Sequence, residues 1–294
     1  MLTKPLKIGI FGNEYHAGKQ DPIQELFDRL KERNADIWVE KKFYRSLSQT
    51  FAFEPEIAGL IHHDSFPLDM VFSLGGDGTF LRTASWVGYQ PVPILGINTG
   101  RLGFLADISP SDIEQTLEEI FKGEYSLEEK SLLQLEAPMP YPRPYALNEI
   151  AVLKRDTASM IVISVYLNDE FLTEYLADGL LLSTPTGSTA YNLSVNGPIM
   201  LSQSESFVLS PVAPHSLNMR PLVIPNNFKI RLHVESRQKN FLVSLDGRST
   251  AFPSGSELSI GKADFTLKVV KRLQQNFYET LRKKLLWGAD VRMD

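Results

Sequence analysis

The segment Leu74-Gly75-Gly76-Asp77-Gly78-Thr79-Phe80 follows an apolar run, Met70-Val71-Phe72-Ser73. An apolar strand that runs into two glycines, an acid, a third glycine and a hydroxyl residue suits close approach of backbone to a bound group. Glycine permits positive φ and places no Cβ in a ligand's way. The carboxylate of Asp77 then stands at a strand end, where open α/β sheets bind ligands. The same residues also suit a tight turn with a solvated aspartate.

A second constellation runs from Asp178-Gly179 through Ser183, Thr184, Pro185, Thr186, Gly187, Ser188, Thr189, Ala190 and Tyr191 to Ser194. Small hydroxyl donors and free backbone N–H groups at this density suit sugar hydroxyls, phosphates and base edges. A Ser/Thr-rich turn leading into a helix is the plainer alternative. A third feature, Asn148-Glu149, interrupts an apolar run from Tyr145 to Leu153. Adjacent strand residues face opposite sides, so one of the pair enters an interior or a cleft unless an edge or bulge intervenes. An amide pairs with adenine N6 and N7, and a carboxylate accepts from ribose hydroxyls.

Other segments exclude chemistry. Gly12 to Gly18-Lys19-Gln20 has one residue too many for a Walker A loop and ends without the magnesium-binding hydroxyl. Residues 96–103, with glycines at 96, 100 and 103, do not fit a G-x-G-x-x-G fingerprint, yet they place a second glycine loop at a strand end. His16, His62, His63, His215 and His233 are scattered without metal-binding spacing. Asp246-Gly247-Arg248 after an apolar run reads as a plain hairpin turn. With no cysteine among 294 residues, disulfides, thiolate metal sites and cysteine nucleophiles are excluded.

The elements that position these residues fall into two groups. Residues 7–12, 36–39, 68–74 and 92–97 read as strands. Residues 22–33 read as an amphipathic helix with Ile23, Leu26, Phe27 and Leu30 on one face. A further helix begins at Ser109 and Pro110, carries Ile113, Leu117, Ile120 and Phe121, and ends at Gly123. Strand alternating with helix predicts a parallel sheet, here a Rossmann-like α/β domain over residues 1–126. Beyond it, short apolar runs between turn residues predict a β-sandwich over residues 127–271, with the Pro-rich 138–144 as an exposed connection. A terminal helix capped by Asn276 with Glu279, striped by Phe277, Leu281 and Leu285 and stopped by Gly288, predicts a tail, 272–294, that packs back on the α/β domain.

With 30 Lys and Arg against 35 Asp and Glu, the chain is mildly acidic, which argues against a nucleic-acid or anionic-membrane partner. No run approaches the roughly 20 apolar residues of a membrane helix. The opening strand is too short for a secretory segment. These features point to a cytoplasmic protein.

Taken together, the chain resembles the NAD kinase family, which phosphorylates the 2′-hydroxyl of the adenosine ribose of NAD. The resemblance rests on residues 75–79, 95–100, 102–104, Leu147-Asn148-Glu149, Asp178-Gly179, 183–191, Arg220-Pro221 and Asp246-Gly247, and so spans nearly the whole chain. The glycine motif alone is shared with lipid kinases of the diacylglycerol kinase type, and phosphofructokinases have a similar one. The resemblance implies that Asp77 accepts the proton of the ribose hydroxyl, with Gly78 close to the sugar. It implies that Asn148 and Glu149 hold NAD, that Asp178, Thr186, Thr189, Ala190, Tyr191 and Ser194 line the rest of the site, and that Arg82 contacts cofactor or phosphate. It further implies ATP or another phosphate donor, Mg²⁺ on the triphosphate, and a homodimer or homotetramer. The chain has Leu176 and Arg248 where some members carry a basic or polar residue and a glutamine, which leaves NAD versus NADH preference open. A different small-molecule or lipid kinase, and a non-catalytic dinucleotide sensor, are the alternative functions.

Overall fold

A computed structural model of the chain describes residues 4–13, 20–62, 67–100, 102–137, 141–155 and 159–287. The expectations for residues 14–19, His16, His63, 138–140 and Gly288 lie outside the described residues. In chain order the first elements are β1 (Lys7–Gly12), α1 (Gln20–Glu32), β2 (Asp36–Glu40), α2 (Lys41–Phe51), β3 (Gly59–Ile61), β4 (Met70–Gly75), α3 (Asp77–Val87), β5 (Ile94–Asn98) and α4 (Ile113–Lys122). Then follow β6 (Tyr125–Glu136), β7 (Tyr145–Ala146), β8 (Glu149–Lys154), β9 (Ile161–Leu167), β10 (Glu170–Ala177), β11 (Gly179–Ser183) and the short α5 (Tyr191–Ser194). The last are β12 (Ser206–Val212), β13 (Leu222–Pro225), β14 (Ile230–Ser236), β15 (Asn240–Leu245), β16 (Arg248–Pro253), β17 (Ser256–Arg272) and α6 (Phe277–Leu285).

The chain divides into two compact units, residues 1–129 with 268–294, and residues 130–267. In the first, parallel strands lie in the order β3-β2-β1-β4-β5. The end of β17 joins beside β5 through Val269 and Ile94. Strand order reverses between β1 and β4, and in such sheets ligands bind outside the carboxyl ends of the strands flanking that reversal. Those ends are Gly12 and Gly75. Helix α1 buries Ile23, Leu26, Phe27 and Leu30, and α4 buries Ile113, Leu117 and Ile120, in one apolar core with the inward residues of β1 and β4. Gly123 closes α4 in the left-handed region, its N–H bonded to the carbonyls of Glu119 and Ile120.

Two local details differ from expectation. Ser109 precedes a 3₁₀ turn, Pro110–Asp112, rather than capping α4. Its hydroxyl bonds the Asp112 carboxylate at 2.6 Å instead of a helix N–H. Asn276 does cap α6 through the Tyr278 N–H, but Glu279 pairs with Lys283 rather than closing a capping box. Helix α6 belongs to the first unit, where Lys284 lies over the Phe104 ring.

The second unit is a sandwich. One sheet contains β10-β9-β14 and the start of β17; the other runs β13-β12-β11-β8-β15-β16. Between them lies a core that includes Ile150, Val152, Ile163, Val165, Leu180, Phe207, Phe241 and Phe252. Alternation of buried and half-buried residues along β9 and β14 puts one face of each in that core. β11 is buried along its whole length, between β8 and β12.

Candidate functional site

In the first unit, β4 leads directly into α3. Gly75 adopts φ +154, a conformation that L side chains rarely adopt, with Thr79 packed against it. A Cβ at Gly76 or Gly78 would meet nothing within 4 Å. The motif therefore exposes bare backbone on both sides of Asp77 at a helix N-terminus, a place that favours anions. Asp77 is the first residue of α3, and its carboxylate is already engaged. Oδ1 accepts from the N–H groups of Leu105 (2.9 Å) and Ala106 (3.0 Å), and Oδ2 from that of Phe104 (3.0 Å).

That cradle explains the second glycine loop. A Cβ on Gly103 would overlap Asp77 Oδ1, so only glycine lets the chain pass this close. The loop is pinned to β5 where the Asn98 N–H donates to the Ile108 carbonyl (2.7 Å) and the Ile108 N–H to the Gly96 carbonyl (3.2 Å), and by the Asn98 side chain, which donates to the Ala106 carbonyl at 3.3 Å. Arg82, one turn along α3, donates to the carbonyl of Gly12 at the end of β1. Asp77, Gly78 and Arg82 thus gather at the strand-order reversal.

In the second unit, Asn148 and Glu149 do not lie within one strand from Tyr145 to Leu153, as the apolar run suggests. A bend at Leu147 and Asn148 separates β7 from β8, and Glu149 opens β8. The cause is distant in sequence. Asp246 accepts from three successive N–H groups, those of Leu147 (2.7 Å), Asn148 (2.8 Å) and Glu149 (3.1 Å), which holds the bend. Its own N–H returns to the Glu149 carbonyl at 3.1 Å. Asn148 is 6% exposed, yet its Oδ1 has no hydrogen-bond partner, and neither has the buried Glu149 Oε2. Buried polar atoms are paired with few exceptions, and each exception asks for an explanation such as a ligand. Burial, then the neighbouring Asp246 charge, pushes the Glu149 carboxyl up to about 7.

Asp246 and Gly247 form the two-residue turn between β15 and β16, with φ of 47° and 80°. The hairpin expected there is present, but the turn also grips the bend. Arg248 donates to the carbonyls of Arg143 (3.0 Å) and Tyr145 (2.5 Å). Burial pushes the Asp246 carboxyl up, while the three N–H groups and Arg248 oppose that shift. No local pattern pointed to this role; the partners lie about a hundred residues away in sequence.

The hydroxyl-rich segment splits by direction. Thr184 donates to the Leu147 carbonyl at 2.6 Å, and Ser188 to that of Pro185 at 2.7 Å. Asn192, fully buried, donates to the carbonyls of Ser188 and Pro198 and accepts from Ser210. These groups are spent on structure. Thr186, Thr189 and Ala190 are half-buried, and Tyr191 and Ser194 are exposed. The segment lies against the Asn148 bend, since the Thr184 N–H donates to the Asn148 carbonyl at 2.9 Å and a Cβ at Gly187 would overlap that carbonyl. Asp178 is engaged differently, in an ion pair with Lys154 at 2.6 Å. Among the described residues there is no cluster of three or more His, Asp or Glu that could hold a metal ion. Nor is any helix of the described residues long and apolar enough to cross a membrane.

Comparison with known proteins bears on both units. The ATP-NAD kinase N-terminal domain family matches residues 8–125, and the ATP-NAD kinase C-terminal domain family matches residues 147–272. A protein named NAD kinase from Bacteroides fragilis is 50% identical over 290 residues, covering 98% of this chain and 100% of the relative. Another from Porphyromonas gingivalis is 45% identical over 288 residues, covering 97% and 99%. Among solved structures, an NAD kinase from Archaeoglobus fulgidus in complex with ATP is 28% identical, with a TM-score of 0.74 over 96% of this chain and 99% of that one. Yeast NADH kinase complexed with NADH shares the fold at 22% identity, with a TM-score of 0.89 over 100% of this chain and 91% of that one.

Proposed function

Because the chain belongs to the NAD kinase family and is an enzyme that phosphorylates NAD with ATP as co-substrate, we propose that Asp77 is the general base of that transfer. The observation that carries this role is the cradle of three N–H groups around its carboxylate, at the carboxyl end of β4. A carboxylate has about four acceptor positions. Two bonds to Oδ1 and one to Oδ2 leave Oδ2 with room for one more. Asp77 Oδ2 takes the proton of the adenosine 2′-hydroxyl as that oxygen bonds to the γ-phosphorus, and the bond to the bridging oxygen breaks to release ADP. Phosphoryl transfer has a loose transition state, so the protein's main tasks are position and charge. The bare N–H groups at Gly76 and Gly78 and the N-terminus of α3 favour phosphate negative charge.

Asn148 Oδ1 and Glu149 Oε2, both unpaired acceptors, hold hydrogen-bond donors of the dinucleotide. Thr186, Thr189, Ala190, Tyr191 and Ser194 line its path, and Asp178 and Arg82 contribute once their present partners are exchanged. Mg²⁺ is carried by the triphosphate, since magnesium keeps its waters and binds through substrate phosphates with at most one or two carboxylates; bound there it neutralises phosphate charge. The protein is expected in the cytoplasm as a homodimer or homotetramer. Exposed Leu222 and Val223 on the edge strand β13, with Leu217 before it, are apolar surface that such an assembly covers. The relatives do not favour the lipid-kinase or sensor alternatives. A donor series with NAD and Mg²⁺ tests the reading: NADP forms with ATP, and failure of ATP beside success of polyphosphate reassigns the donor.

A further inference from the structure

We propose that Asp246 is a positioning residue for the dinucleotide site, its buried carboxylate clamping the backbone of Leu147, Asn148 and Glu149 so that the side-chain acceptors of Asn148 and Glu149 stay free for ligand. The proposal rests on the assignment of Asn148 and Glu149 to NAD binding. Three observations carry it. The carboxylate receives three consecutive N–H groups at 2.7, 2.8 and 3.1 Å. These N–H groups run from the bend into the first residue of β8, and the two unpaired acceptors sit on Asn148 and Glu149. The next residue but one, Arg248, holds the carbonyls of Arg143 and Tyr145, so the turn grips the same segment by its acceptors as well.

A tight hairpin requires neither grip. The turn geometry is supplied by Asp246 and Gly247 with positive φ, which asparagine satisfies equally well. What asparagine lacks is the second acceptor oxygen and the charge. In Asp246→Asn the amide NH₂ would face one of the three N–H donors, and the clamp would open on that side.

The charge has a separate consequence. Asp246 faces Glu149 across the bend and raises the cost of ionising it. The other ionisable groups around the turn are Arg248 on β16 and, beside it, Tyr141 and Arg143 before β7 and Tyr145 on β7. Removing the Asp246 charge therefore moves the ionisation of Glu149 to lower pH. Loss of fold stability alone would not do this.

The test compares wild type, Asp246→Asn, Glu149→Gln and Asn148→Ala for NAD and ATP kinetics across pH, with thermal unfolding as control. Asp246→Asn is expected to raise KM for NAD by about 10- to 100-fold, the cost of misplacing a binding group by a fraction of an ångström to an ångström. KM for ATP should stay within about twofold, and the inflection in the NAD KM–pH curve should move to lower pH. An unchanged KM for NAD, or parallel rises in both KM values with an unmoved inflection, overturns the proposal. If Glu149→Gln and Asn148→Ala leave KM for NAD unchanged, the assignment of the pair to NAD fails instead. Amide exchange in wild type needs no variant: the N–H groups of Leu147, Asn148 and Glu149 should exchange among the slowest of the bend, and fast exchange refutes the clamp.

Discussion

Replacing Glu149 with glutamine should flatten a pH dependence that the wild-type fold contains. The Glu149 carboxyl is pushed from an ordinary 4.5 to about 7, first by burial and then by the Asp246 charge, and Oε2 has no partner to stabilise the anion. The folded protein therefore binds this proton more tightly than the unfolded chain does. Glu149 contributes stability that is complete below about 4.5 and is lost as pH rises through about 7. The displacement is worth at most about 3 kcal/mol. Urea unfolding of ligand-free protein between about pH 5 and about pH 8 reads it directly. Wild type should lose up to that amount relative to Glu149→Gln over the window. NAD that donates hydrogen bonds to the carboxylate favours the anion, so its affinity should rise with pH through the same window in wild type and stay flat in the variant. Parallel stability curves for the two proteins would refute the placement of a strained carboxyl at this bend.

Three other substitutions or treatments follow from particular contacts. Gly103→Ala places a methyl on Asp77 Oδ1 and should lower kcat by about 100-fold through misplacement of the base, measured beside circular dichroism that shows an intact fold; an unchanged kcat removes the cradle from the mechanism. Asn192→Ala leaves the Ser188 and Pro198 carbonyls and the Ser210 hydroxyl without their buried partner and should cost about 2–4 kcal/mol in chemical unfolding, whereas a loss under about 1 kcal/mol contradicts its role as the anchor of the hydroxyl-rich segment. Chelation of Mg²⁺ should abolish turnover and leave NAD binding measured by calorimetry unchanged, because the metal rides on the triphosphate; weakened NAD binding would point to a protein-held metal.

Much of the first unit is legible because its signals are local. The stripe of Ile23, Leu26, Phe27 and Leu30 and the left-handed stop at Gly123 are read from spacing alone, and both are present. Helix α2 escapes this reading because it opens with Lys41-Lys42 and takes its cap from Glu40, whose side chain accepts from the Phe43 N–H, a residue type ranked low as a cap. β16 escapes because Arg248 to Pro253 is polar and ends in proline. The apolar runs at 257–260 and 265–270 look like two strands but belong to one, β17, since Gly261 to Asp264 continue the pairing direction without a turn. In the site, the glycine motif and the outward hydroxyls are recognisable by type. The carboxylate clamp of Asp246 and the N–H cradle of residues 104–106 are not, because each joins a side chain to backbone groups far away in sequence, and backbone carries no residue identity to read.

The role of Asp77 as general base is read most directly from NADP formation from NAD, ATP and Mg²⁺ by Asp77→Asn beside wild type, with NAD affinity measured on both. Asparagine keeps one oxygen for the Leu105 and Ala106 N–H groups, so much of the cradle survives while the proton acceptor is lost. Wild type should form NADP, NAD affinity should be nearly equal in the two proteins, and turnover should be lower by about 10²- to 10⁴-fold in the variant. Equal turnover in the two proteins would contradict that role.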